Sequence, residues 1–353
     1  MLPATDAPSE RAGILTEVVL PGVVEPDGLL VRTRPIPPPA KGQALVQMLA
    51  TGVSLAENAM RRNRYPGQPK FPFVLGYDLV GVVTAVGAGV DRALIGTRVA
   101  AVTKTGGWST HLLVDARDLI AVADGLDVAD VEAVLLNGIT AWQMLHRKAK
   151  VKRGDTILVH GGSGGVGTIL LQLARHAGIA VIATASPRSH EAIRDLGAKP
   201  FDYRDPNLVN HVHALAPTGV NAVFDNIGGP SFKRSFNQLA PGGTLVGYGT
   251  ASQLEDTNNM VLTFTGILAR FATWTLTPNH GRTATFYNFW AGKHTGPARF
   301  RQRLATDLNH VMRLLAEKAI NPHIAARFPL DQAREALALA DSHAASGKIV
   351  ISP

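Results

Sequence analysis

Not one cysteine occurs in the 353 residues. That absence excludes disulfides, iron–sulfur clusters, thiolate nucleophiles and every thiolate-bound zinc, and it fits a reducing cytoplasm. Long apolar runs are missing too. Residues such as Asn137 and Arg270 break them well before the ~20 residues that a membrane crossing needs, so no membrane span is expected. The opening MLPATDAPSERAG has no basic flank leading into an apolar stretch and no obvious cleavage site, and reads as a short frayed tail. What is present is a 46% hydrophobic chain with 35 Gly and 22 Pro, a balance that excludes disorder and collagen-like structure. At about 100–200 residues per domain, two domains are expected. Lys and Arg outnumber Asp and Glu by 35 to 27, a net charge of +8 that would attract a phosphorylated cofactor, nucleic acid or lipid headgroups without choosing among them. The densest basic cluster, Arg61, Arg62 and Arg64, reads as a solvated helix end.

The first third of the chain reads as short β-rich runs between turns: Ala44–Met48, Val74–Val86, Arg98–Val102 and Ser109–Val114. Such spacing predicts a partly open β-barrel or sandwich. Near Asp124-Gly125 the texture changes, and from Gly154 apolar strands alternate with amphipathic segments. Strands are expected at Thr156–His160, Ala180–Thr184, Phe201-Asp202, Ala222–Asn226, Thr244–Gly247 and Thr283–Tyr287, with a helix over Gly165–Ala177. That alternation implies an α/β fold with a doubly wound parallel sheet. A long helix at Leu304–Lys318, a strand at Ile324–Phe328, a helix at Asp331–Ala340 and a closing strand at Lys348–Ile351 follow, and this tail is expected to return to the first domain.

The sharpest motif is Val159-His160-Gly161-Gly162-Ser163-Gly164-Gly165-Val166-Gly167, in which Gly162-x-Gly164-x-x-Gly167 follows a strand and opens a helix. Glycine lets the backbone turn tightly and approach a pyrophosphate, whose charge is met by N–H groups at a helix N-terminus. An NAD site places an acid about 20 residues further on, at the end of the second strand. Here that region reads Ala183-Thr184-Ala185-Ser186-Pro187-Arg188-Ser189-His190, with hydroxyls and Arg188 but no acid. Ser186 suits a helix cap, Pro187 a first helical position, and Arg188 a 2′-phosphate partner, so NADPH is favoured over NADH.

With these residues assembled, the chain resembles the medium-chain dehydrogenase/reductase superfamily, in particular its zinc-free quinone oxidoreductase branch with ζ-crystallin-like and VAT-like members. The carriers run from about Ala44 to the C-terminus: Gly52-Val53-Ser54, the segment Phe73 to Val83, Asn137-Gly138-Ile139-Thr140-Ala141, the glycine loop, Leu196-Gly197-Ala198 and Gly347-Lys348-Ile349-Val350. The resemblance implies a GroES-like catalytic domain over residues 1–126 and 303–353, and a Rossmann dinucleotide-binding domain over residues 127–302. Zinc-dependent relatives hold a catalytic metal through Cys and through the His of a Gly-His-Glu segment. Here Gly76-Tyr77-Asp78 puts Tyr at that place and no Cys exists, so no zinc is expected. His160 reads as a packed strand-end residue. Without a Lewis acid, the natural chemistry is hydride donation to an acceptor already electrophilic, a quinone or the β-carbon of an α,β-unsaturated carbonyl, which needs mainly positioning and exclusion of water.

The resemblance also implies individual roles. Tyr65 would orient the substrate oxygen or wall the pocket. Ser54, where many quinone reductases have Asn, would bond to the substrate or the nicotinamide ribose. Thr140 would lie by the nicotinamide, Ser163, Gly164, Gly165 and Val166 would hold the pyrophosphate, and Tyr203 would meet the 2′-phosphate. Asn226, Tyr248 and Gly249 fall at carboxyl ends of parallel strands, where ligands of open sheets bind, or are turn residues. The aromatic stretch Ser252–Phe300, with Phe264, Phe271, Trp274, Phe286, Tyr287, Phe289 and Trp290, reads as a dimer surface, a lid or a membrane-facing patch, and a homodimer leads because it is the family's usual state. Two rival functions stand beside a quinone or enone reductase: an enoyl reductase acting on a bulky thioester or natural-product intermediate, and an NADPH- or RNA-binding protein with little catalysis. No recognised RNA motif or long basic stripe is present, so nucleic acid is not the expected partner.

Overall fold

The apolar runs after Gly154 form a six-stranded, wholly parallel sheet: Thr156–His160, Ala180–Ala185, Lys199–Asp202, Val220–Asp225, Leu239–Gly247 and Thr283–Phe286. Its spatial order runs third, second, first, fourth, fifth, sixth. The first and fourth strands are neighbours, so the chain reverses direction across the sheet between them and leaves a crevice at their carboxyl ends. Ile157, Leu158 and Val159 are completely buried, because helices cover both faces and a strand so placed must be apolar on both sides. The computed structural model describes residues 13–253, 260–342 and 344–353.

A second sheet gathers around Gln43–Val53, which pairs antiparallel with Asp78–Val86, His111–Asp115 and Lys348–Ser352. Ile324–Pro329 lies parallel to Lys348–Ser352 at one edge, and Arg98–Val102 continues the sheet beyond Asp78–Val86. The run expected over Val74–Val86 is two strands, because the backbone turns at Gly76 (φ +101°). A Cβ there would sit 2.1 Å from the Trp108 amide nitrogen, so no other residue makes this turn. The Val128–Trp142 helix joins the two sheets, packing on the Gly165–His176 helix and on strand Gln43–Val53.

The expected frayed tail lies outside the described residues as far as residue 12, and a strand, Ile14–Leu20, begins after it and pairs with Leu30–Pro35. Two expectations need correction. The long helix starts at Pro297 rather than Leu304, since proline is favourable in a first helical turn. The basic cluster is not a solvated helix end. Arg61 is 1% exposed and donates to Glu25 at 2.9 Å, to the Val24 carbonyl at 3.0 Å and to Asp341 at 2.7 Å. Arg62 donates to the same aspartate at 2.7 Å, and Arg64 is buried. Arg61 and Arg62 fasten the Leu55–Arg61 helix to the Ala333–Asp341 helix.

Candidate active site

The glycine loop sits at the carboxyl end of the first parallel strand, where the sheet order reverses. Its glycines divide into two kinds. A Cβ on Gly167 would lie 2.3 Å from the Gly161 carbonyl oxygen, and one on Gly162 would lie 2.9 Å from Ala183, so both serve close packing. Gly164 is exposed, and a Cβ there would meet only the Gly161 oxygen at 3.4 Å. Gly164 is also the N-cap of the Gly165–His176 helix and offers no capping side chain, so the helix's first N–H groups keep their capacity for an external anion. Ser163 and Val166 flank it, half-buried. The backbone of Gly347 donates to the Ser163 carbonyl at 3.0 Å and bridges to Gly164, which ties the loop to the second sheet.

Other sequence-derived residues gather around this loop. The Asn226 amide lies about where a Cβ on Gly161 would reach it, at 3.0 Å, and a Cβ on Gly249 would lie 2.9 Å from the Asn226 carbonyl oxygen. Tyr248 donates at 3.4 Å to the His160 carbonyl, and burial pushes its phenol up. Asn137 on the joining helix packs on Gly165, and one turn on, Thr140 is buried against the Tyr287 hydroxyl. His160 is a buried strand-end residue, its ring nitrogens 3.0 Å from Thr184 Oγ1 and 3.2 Å from Ser235 Oγ. Burial lowers its pKa and keeps the imidazole neutral.

A second group lies at the ends of the next two strands. Ser186, Pro187 and Arg188 lead from Ala180–Ala185 into a short turn of 3₁₀ helix, with Pro187 in its first turn and Arg188 exposed. Ser186 makes no side-chain cap there, contrary to the sequence expectation. Tyr203 follows strand Lys199–Asp202, and its amide donates to the Ala185 carbonyl at 3.3 Å. It is 53% exposed, and Arg204 stacks on its ring at 5.0 Å. Arg204 was not singled out from the sequence; its place directly after Tyr203 was the available signal.

The third group belongs to the second sheet. Ser54 caps the Leu55–Arg61 helix in a capping box: its Oγ accepts from the Ala56 amide at 3.1 Å and donates to Glu57 at 2.5 Å. Its hydroxyl proton is thereby occupied. Tyr65 and Tyr77 meet hydroxyl to hydroxyl at 2.5 Å, and the Trp290 Nε1–H donates to Tyr77 at 2.5 Å. Phe289 packs edge-on against Tyr77, and the Lys104 ammonium stands 5.6 Å over the Tyr65 ring. Burial pushes both phenols up, Tyr77 more strongly because Tyr65 adds to it. Phe289 and Trp290 of the aromatic stretch therefore pack against Tyr77, although the stretch's residues 254–259 lie outside the described residues. Tyr77 and Trp290 are the members that sequence reasoning did not assign.

Beneath the tyrosines lies a buried charge cluster. Lys348 Nζ is 3.1 Å from Glu132 Oε1, and the two side chains are 4% and 0% exposed. Asp78 and Glu57 are also buried, and Glu57 accepts from the Tyr77 amide at 2.9 Å. Burial raises all three carboxyls, most strongly Glu132, against the opposing pull of Lys348. The same lysine stands in the Gly347-Lys348-Ile349-Val350 motif quoted from the sequence.

An alcohol dehydrogenase GroES-like domain matches residues 40–124 and a zinc-binding dehydrogenase domain matches residues 196–351. The human synaptic vesicle membrane protein VAT-1 homolog is 30% identical over 352 residues, covering 96% of this chain and 87% of that one. The chain belongs to the medium-chain dehydrogenase/reductase superfamily. Among solved members, a mycobacterial protein complexed with NADPH superposes with a TM-score of 0.82 at 28% identity, covering 96% of this chain and all of that one. A quinone oxidoreductase of Pseudomonas syringae pv. tomato superposes at 0.83 and 26% identity with the same coverage.

The zinc of the superfamily's metal-dependent branch does not fit here. At the histidine place stands Tyr77, whose hydroxyl is engaged with Tyr65 and Trp290, and Ser54 is engaged in its helix cap. Among the described residues no three His, Cys, Asp or Glu side chains are grouped so as to hold a metal ion, and no helix is long and apolar enough to cross a membrane.

Proposed function

We propose that the protein is a zinc-independent, NADPH-dependent reductase that delivers a hydride to a quinone or an α,β-unsaturated carbonyl. The observation that carries this reading is the exposed, uncapped Gly164 at the crevice of the parallel sheet, a cradle that a side chain would fill. The loop's backbone N–H groups would hold the pyrophosphate, Asn226, Tyr248 and Gly249 would border it, and Thr140 would lie by the nicotinamide. Arg188, Tyr203 and Arg204 would take the 2′-phosphate, with Ser186 beside them. The bound cofactor supplies the hydride. The chain's own part is to seat the acceptor between the Tyr65 side and the aromatic wall, exclude water and present a proton to the acceptor oxygen. The NADPH complex and the quinone oxidoreductase among the relatives support this reading.

The test is a titration of the purified protein with NADPH and NADH, followed by NADPH oxidation with quinones, enones and enoyl thioesters. NADPH should bind more tightly than NADH and be consumed with at least one acceptor class. Arg188→Ala should weaken NADPH about tenfold to a hundredfold, the worth of a charge-assisted bond of about 1.5–3 kcal/mol, and leave NADH unchanged. No binding of either dinucleotide would end the proposal.

We infer further that the protein is a homodimer. The Met260–Leu276 helix buries Ile267 and Phe271 yet leaves Leu268 54% and Leu276 83% exposed, an apolar outer face suited to a second copy. Sedimentation at micromolar concentration should give twice the 37.4 kDa chain mass, and Leu268→Glu should halve it.

A further inference from the structure

We propose that Trp290 and Tyr77 are positioning residues that fix the direction of a hydrogen-bond chain, so that Tyr65 presents its hydroxyl proton to the acceptor oxygen. This inference rests on the reductase reading above.

An indole N–H only donates, so Tyr77 oxygen accepts from Trp290. Tyr77 is 3% exposed, and among the described residues the one acceptor at its hydroxyl is the Tyr65 oxygen. Were Tyr65 to donate to Tyr77 instead, the Tyr77 proton would be buried without an acceptor, at a cost of about 1–3 kcal/mol. Tyr77 therefore donates to Tyr65. The Tyr65 proton is then left for a group outside the triad, and Tyr65 is partly exposed whereas Tyr77 is buried. Tyr65 and Tyr77 lie 12 positions apart, and 213 positions separate Tyr77 from Trp290.

For an enone, the hydride forms a C–H bond at the β-carbon while the C=C pair moves toward the carbonyl oxygen. The Tyr65 O–H bond breaks as an O–H bond forms on that oxygen, giving the enol, which passes to the ketone in solvent. The Tyr65 phenolate is stabilised by the Tyr77 hydroxyl and the Lys104 ammonium over its ring, and regains a proton from water. A quinone yields a hydroquinone anion that needs this proton less, so the two substrate classes should respond differently.

The experiment compares wild type, Tyr65→Phe, Tyr77→Phe, Trp290→Phe and the double variant Tyr65→Phe/Trp290→Phe. Tyr65→Phe should lower kcat on an enone about 100-fold, Tyr77→Phe and Trp290→Phe about tenfold each, with KM and NADPH affinity nearly unchanged and smaller losses on a quinone. The double variant should be no slower than Tyr65→Phe alone, because both changes act through one proton. Additive losses, or wild-type kcat in Tyr77→Phe and Trp290→Phe, would reduce Tyr77 and Trp290 to pocket wall. A second readout needs neither cofactor nor turnover. Phenolate absorbance of the five-tyrosine protein, with Tyr65→Phe to identify the Tyr65 contribution, should show Tyr65 titrating about one unit higher in Tyr77→Phe. An unchanged or lower Tyr65 titration would overturn the chain's direction even in a protein that reduced no enone. Absence of turnover with the titration as expected would instead strike the reductase reading.

Discussion

Lys348→Met should destabilise the protein by about 3–5 kcal/mol at neutral pH, measured by denaturant unfolding, because it removes the base of a buried ion pair and leaves its acids behind. Methionine keeps the length and apolar stem of lysine, so the loss reports charge rather than a cavity. Its pH dependence has a definite sign. Burial already raises Glu132, Asp78 and Glu57 in the folded protein; Lys348 is the chief influence holding Glu132 and Asp78 down, and on Glu57 it comes after the Ser54 hydrogen bond. A carboxyl raised in the folded state contributes stability below its unfolded value, near 4.5 for Glu132, and loses it as pH climbs through the folded value. The deficit of the variant should thus be small at about pH 4.5 and widen steadily toward alkaline pH. A flat profile, or a loss under about 1 kcal/mol, would mean that the carboxyls are already neutral in the wild type.

Gly164→Asp should abolish dinucleotide binding while leaving the fold intact. The backbone at Gly164 is extended (φ −76°, ψ 169°), and a Cβ there meets nothing closer than 3.4 Å. Aspartate is moreover a favourable N-cap for the helix that follows. Thermal stability of the free protein should stay level or rise, yet the carboxylate would occupy the anion cradle and repel a pyrophosphate. A fall in NADPH affinity of at least about 100-fold, roughly 2.7 kcal/mol, is expected by fluorescence titration. Gly167→Val makes the contrast. Its Cβ would lie 2.3 Å from the Gly161 oxygen, so that variant should lose stability before any ligand is added. Unaltered affinity in Gly164→Asp would move the cofactor away from this loop.

The parallel sheet was legible because strands such as Thr156–His160 and Ala180–Ala185 are short apolar runs with sharp edges, and the glycine pattern marks one strand end. Leu30–Pro35 was not, since it is exposed throughout and carries two arginines and a proline, which read as loop. Arg61 looked like surface charge because its acid Asp341 lies 280 positions away. The same distance problem hid Trp290 from Tyr77. Tyr65, the loop glycines and Thr140 could be proposed from the sequence because each stands in a local motif, whereas a neighbour such as Trp290 is brought to Tyr77 by tertiary folding alone.

The bond between the Gly347 amide and the Ser163 carbonyl stitches the two sheets together beside the phosphate cradle. The Trp290–Tyr77 hydrogen bond joins the same two sheets at a second place, so the crevice is clasped at two points, one of backbone beside the phosphate cradle and one of side chains beside Tyr65. A substitution that loosens the side-chain clasp leaves the backbone clasp in place.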